Sequence, residues 1–134
     1  EDELRQVIDS TLPQGEIPTY LAVSVVQIPP VGRRLTTAIQ INRDSLTFVS
    51  DDGKQAADID LGGIVYDDKG KPANSFVARL KVYPHTTDAP QSKGNDPIYS
   101  FNTWLPPGLY QVRIGLRDSR SGRIGSAMEW VQIQ

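Results

Sequence analysis

Cysteine is absent from this 134-residue chain, histidine occurs once, and no apolar run comes near the roughly 20 residues a membrane-spanning helix needs. Without cysteine there is no disulfide, no thiol chemistry and no Cys-based zinc site, which fits the cytosol and many bacterial exported proteins alike. Charge of either sign is also missing as a dominant feature: 14 basic residues stand against 16 acidic ones, a net −2 at pH 7. Such a balance supplies no field to gather nucleic acid or an anionic membrane, so neither is expected as a partner. The opening residues do not form a charged-then-apolar leader, and together these features predict a soluble chain. It opens on Glu1 rather than on methionine, and so reads as part of a longer protein from which a leader or preceding domain has been cut.

What is present is punctuation. Ten prolines and eleven glycines cut the chain into pieces of strand length. The most informative piece, Leu105 to Gly125, reads as turn, strand and hairpin: Pro106, Pro107 and Gly108 turn the chain, and Tyr110, Val112, Ile114 and Leu116 then alternate at period two. Thr19–Ile28 is rich in β-branched residues, and Arg34–Ile41 puts Leu35, Thr37, Ile39 and Ile41 on one face. Ser45–Val49 is expected to be a short strand with Leu46 and Phe48 inward, closed by a turn in which Gly53 takes a positive φ. Ala56–Tyr66 alternates but carries Gly62-Gly63, which predicts a bend or bulge there. Phe76–Tyr83, Ile98–Leu105, Leu109–Arg117 and Ser126–Ile133 complete about eight strands, with residues 84–97 as a long polar loop.

Only Glu1–Gln14 has helical character, from Leu4, Val7 and Ile8 at i, i+3 and i+4. The expectation is therefore one all-β domain, an immunoglobulin-like β-sandwich over 17–134, preceded by a short helical or extended linker over 1–16. Tyr110 fits such a sandwich: it follows the Pro107-Gly108 turn and precedes Val112, which stands where a disulfide-bonded relative would carry a core cysteine. A tyrosine there anchors the incoming connection by bonding its hydroxyl to backbone a few residues upstream. Gly122 in the following hairpin is expected to be left-handed.

Residues able to carry chemistry are few. His85 has no serine, carboxylate or second ligand assigned to it by spacing, so no triad can be assembled and no enzyme is expected. Asp51, Asp52, Asp58, Asp60, Asp67 and Asp68 crowd one third of the chain. Ile59 and Leu61 interrupt any calcium-loop match, and Lys69 stands where its closing glutamate belongs, so ordinary turn and strand carboxylates are expected, with no metal and no cofactor. Arg113, Arg117, Arg120 and Arg123 form the opposite pole, suited to gripping a carboxylate or phosphate, or else to solvating a face against edge pairing. Trp104 and Trp130 fall at outward or boundary positions and suit a carbohydrate platform or a protein interface; packing against a neighbouring segment is the ordinary alternative.

The stretch Leu105-Pro106-Pro107-Gly108-Leu109-Tyr110-Gln111-Val112-Arg113, with Leu116-Arg117-Asp118, Ser121-Gly122-Arg123 and Gly125-Ser126-Ala127, resembles the C-terminal region of acidobacterial von Willebrand factor A (VWFA)-related proteins. The resemblance extends loosely upstream, through a strand near Ile17–Val25 and through Asp60–Asp67 and the Lys69-Gly70-Lys71 turn. It implies an exported bacterial protein, periplasmic, cell-surface or secreted, in which an A-type domain precedes a β-sandwich of protein-contact or spacer role. The A domain's Asp-x-Ser-x-Ser metal motif is not matched here, because Asp118-Ser119-Arg120-Ser121 offsets its serines wrongly. The partner implied is another protein or the neighbouring A-type domain; a carbohydrate-binding module is the alternative.

Overall fold

The computed structural model describes residues 4, 8, 15–51, 53–84 and 97–134. Eight strands follow in order: β1 (Thr19–Ile28), β2 (Gly32–Ile41), β3 (Val49–Asp51), β4 (Lys54–Tyr66), β5 (Pro72–Val82), β6 (Ile98–Trp104), β7 (Gly108–Asp118) and β8 (Ile124–Ile133). They form two antiparallel sheets. One has the order β1-β2-β6; the other runs β3-β4-β7-β8, with β5 also paired to β4. The fold is an all-β sandwich.

Period-two alternation decides what lies between the sheets. Leu35, Thr37, Ile39 and Ile41 of β2 are buried, as are Ile59, Leu61 and Val65 of β4, and Tyr110, Val112, Ile114 and Leu116 of β7. Each fully buried Ile or Leu contributes about 1.5–3 kcal/mol relative to an exposed one. Phe76 of β5 and Phe101 of β6 stack across the sheets with ring centroids 4.0 Å apart.

Three segments depart from expectation, and one of them is β5, which starts at Pro72, four residues ahead of the expected Phe76. Residues 43–48 are not a strand: Arg43–Ser45 form a single 3-10 turn, and β3 begins only at Val49. Leu46 and Phe48 nevertheless pack on the core, since apolar burial at those positions does not require extended backbone. Nor does Gly62-Gly63 break β4, whose pairing with β5 and β7 runs straight through it; the one register shift lies at Val65/Tyr66. The glycines make room instead. A Cβ on Gly63 would sit inside the Phe76 ring, and one on Gly62 would press on Ile8 Cδ1 at 3.2 Å and Leu4 Cδ2 at 3.3 Å. Leu4 and Ile8 are helical and buried against Ile64, on the outer face of the sheet.

The expected turns are present. Gly53 and Gly122 take φ of +83° and +80°. The chain entering β1 changes neighbours: Gly15 bridges Gly125, Ile17 N–H donates to the Ile124 carbonyl (3.0 Å), and from Thr19 the chain pairs with β2. Gly125 is needed for that approach, because a Cβ there would collide with the Ile17 carbonyl.

Candidate functional site

The six residues singled out from sequence are dispersed. Trp104 ends β6 and is exposed on the outer face of the three-stranded sheet, opposite Arg34 in register. Trp130 lies on β8, exposed on the outer face of the other sheet. The sandwich therefore separates the two tryptophans, and they cannot form one platform. The arginines also divide: Arg113 lies within β7, whereas Arg117 stands near its end and Arg120 and Arg123 flank the β7–β8 hairpin tip.

The hairpin arginines are engaged within the fold. Arg123 donates to the Ser45 carbonyl (3.1 Å) and to the Glu16 carbonyl (2.7 Å), and Ile124 N–H donates to the Glu16 carboxylate (2.9 Å). Arg120 pairs with Asp58 at 3.1 Å. Beneath them, Asp118 is fully buried. Its carboxylate accepts from Thr47 N–H (2.7 Å) and Arg120 N–H (2.9 Å), tying the hairpin to the segment before β3. Of the crowded aspartates, Asp58 and Asp60 face outward on β4 and meet Lys81 (3.9 Å) and Arg79 (2.9 Å) of β5. Among the described residues no three His, Cys, Asp or Glu side chains converge as a metal site. His85, Asp52 and the interior of the 84–97 segment lie outside the described residues.

Tyr110 makes the bond its position predicts. Its hydroxyl donates to the Pro106 carbonyl at 2.8 Å, and burial, then the carboxylates of Asp67 and Asp68, raise its pKa above the ordinary 10.

One open cleft gathers functional groups. Strand register places Tyr66, Gln111 and Trp130 in one transverse row on the outer face, with Ile64, Arg113 and Met128 in the next. The β4–β5 turn overhangs that corner. The result is a cleft of about 510 Å³ lined by Tyr66, Asp67, Asp68, Gly70, Gln111, Arg113 and Trp130. The Arg113 guanidinium carbon lies 5.4 Å from the centre of the Tyr66 ring, and its Nε donates to Gln111 Oε1 (2.8 Å). Asp67 shapes the turn: its Oδ1 accepts from the backbone N–H groups of Lys69 and Lys71, both at 2.9 Å. The Lys71 bond is the main cause that holds its pKa below the usual 3.8. An exposed indole beside amide, guanidinium and carboxylate groups can stack on an apolar ring face while hydrogen-bonding its rim. Arg113 and Trp130 are the two sequence candidates that the fold brings together. Gln111, Asp67 and Asp68 join them through β-pairing whose register was the missing signal.

Fold and cleft together define a β-sandwich domain with a solvent-open polar and aromatic corner among the described residues. No family model matches the chain, and no curated protein matches it. Among solved structures it is similar to a Bacteroides uniformis β-glucuronidase, at 14% identity and a TM-score of 0.55, covering 84% of this chain and 13% of that one. It is also similar to a calcium-binding mutant (D341A D367A) of Bacteroides uniformis β-glucuronidase 2, at 13% identity and a TM-score of 0.51, with the same coverage of 84% and 13%. The chain thus spans a small part of the length of these neighbours, and the likeness is one of fold.

Proposed function

We propose that this chain is a non-enzymatic accessory module of a larger exported bacterial protein, immunoglobulin-like in kind and acting by protein contact or as a spacer. The observation that carries this reading is proportion: most of this chain corresponds to 13% of much larger proteins, as expected of a module. The engagement of Asp118, Arg120 and Arg123 within the fold supports it further, because those groups hold the hairpin rather than present reactive atoms. The VWFA-related resemblance belongs to the same proposal, with an extracytoplasmic location and an A-type domain or another protein as the partner. The test is the sequence encoded ahead of Glu1, together with retention of envelope proteins by this chain, alone and joined to that upstream segment. An A domain bearing Asp-x-Ser-x-Ser and a specifically retained partner are expected. A different upstream domain removes the family assignment, and turnover of a glycoside or ester by the purified chain overturns the accessory role.

A second reading, carbohydrate binding, is favoured by the Trp130 cleft. The indole is 54% exposed beside Gln111 and Arg113, so a sugar's C–H face can stack on it while hydroxyls meet the polar rim. On a glycan array, Trp130→Ala is expected to abolish binding and Trp104→Ala, on the other sheet, to leave it intact. Absence of any glycan binding by the folded wild type rejects this reading.

A further inference from the structure

The edges of the two sheets are not equally protected. β5 carries Pro72, Arg79 and Lys81, and β8 turns Glu129 into its inward-facing row, each a known obstacle to pairing with a foreign strand. β1 lies beside β8 where the chain changes sheets. β6 has none of these devices. Its sequence, Ile-Tyr-Ser-Phe-Asn-Thr-Trp, is uncharged, proline-free and rich in β-formers, and it ends the three-stranded sheet.

The hydrogen-bond parity of β6 can be read from the bonds that flank it. Ile41 N–H donates to the Pro97 carbonyl (3.1 Å) and Leu105 N–H to the Arg33 carbonyl (3.4 Å), so the odd-numbered residues of β6 bond to β2. The peptide groups of Ile98, Ser100, Asn102 and Trp104 therefore point away from the sheet. Their side chains occupy its outer face, where Ile98 is 60% and Trp104 48% exposed. A second antiparallel strand must match even residues with even. One register does so over the whole strand: a two-fold axis at Phe101 sets Ile98 against Trp104, Ser100 against Asn102, and Phe101 against itself. On the outer face apolar meets apolar and polar meets polar, Tyr99 falls opposite Thr103 on the inner face, and no charge is opposed.

We infer that β6 is a homodimerisation edge, pairing antiparallel with β6 of a second copy about Phe101 to make one continuous six-stranded sheet. This goes beyond the accessory reading, since it names a second copy of this chain as an occupant and stands whatever else the module contacts.

Light scattering coupled to size exclusion, on the 134-residue chain at up to about 1 mM, is expected to give a concentration-dependent dimer. The double variant Ser100→Lys/Asn102→Lys sets like charges directly opposite in this register and is expected to weaken the dimer about tenfold or more. Ser100→Lys/Asn102→Glu sets Lys against Glu at the same two positions and is expected to restore it. Far-UV circular dichroism and thermal melting confirm that both variants fold, as their exposed positions predict. A wild type that stays monomeric, a folded Lys/Lys variant that dimerises as the wild type does, or a Lys/Glu variant no tighter than Lys/Lys overturns the inference.

Discussion

Asp118 and Tyr110 are two residues of one strand whose polar atoms are both spent on backbone. Removing the Asp118 carboxylate leaves the N–H groups of Thr47 and Arg120 without their acceptor. Hydrogen bonds to a charged group contribute about 1.5–3 kcal/mol each, and their losses here overlap, so Asp118→Ala is expected to destabilise the domain by about 3 kcal/mol. Urea denaturation measures it as a lower midpoint at unchanged slope. Tyr110→Phe keeps the ring and loses only the bond to Pro106, with an expected cost of about 1 kcal/mol in the same assay. The tyrosine's role was legible in the sequence because its anchor is local, four residues upstream, behind a proline-glycine turn. The aspartate's was not. Its partner Thr47 lies 71 residues away, and an aspartate before a Ser-Arg-Ser-Gly hairpin looks like any solvated turn carboxylate.

At the scale of elements, the strands were readable wherever one face is buried, because alternation then leaves a period-two trace. β1 begins and ends where its β-branched run does, and β2, β7 and β8 differ from expectation by a residue or two at their ends. Gly62-Gly63 misled for a physical reason: glycine within a strand signals either a bend or a close approach, and sequence alone does not show what approaches. Here Phe76 fills the space on one face and Leu4 with Ile8 on the other. Gly63→Ala is expected to cost about 1–3 kcal/mol, since the displaced ring is itself stacked on Phe101. Gly62→Ala should cost less, because its tight contacts are the ends of flexible side chains and the Phe76 carbonyl stays at an ordinary 3.5 Å. Thermal denaturation of the two variants side by side checks that order. The cleft was half legible: Trp130 and Arg113 stood out by type and outward register, while their companions from the β4–β5 turn required the β4–β7 pairing.

For the whole molecule, the perturbed groups set opposite ends of the pH range. The Asp67 pKa is held below 3.8 by its backbone bonds, so its contribution is present above that value and is lost as pH falls through the lower folded value. The Tyr110 pKa is raised above 10, so the donated O–H stabilises the fold below pH 10 and is lost as pH rises past the folded value. A titration of Asp67 by carboxyl NMR is expected to give a midpoint below 3.8, and Asp67→Asn a stability profile less steep in acid. The net charge is close to balance, but the two outer faces differ. One is crossed by ion pairs and holds the Trp130 cleft; the other carries Arg34 as the only charge among the outward residues of β1, β2 and β6.

The passage of the chain from β8 at Gly15–Ile17 to β2 from Thr19 has a mechanical meaning. Tension applied to the chain ahead of Gly15 does not peel β1 directly from β2. It first loads the Gly15–Gly125 bridge and, with it, the Ile17–Ile124 bond, the Glu16 carboxylate on Ile124 N–H and the Arg123 guanidinium on the Glu16 carbonyl. These lie side by side and share the load, so the domain is built to resist pulling at that end through a small clamp on its last strand, with the longer β1–β2 ladder held in reserve.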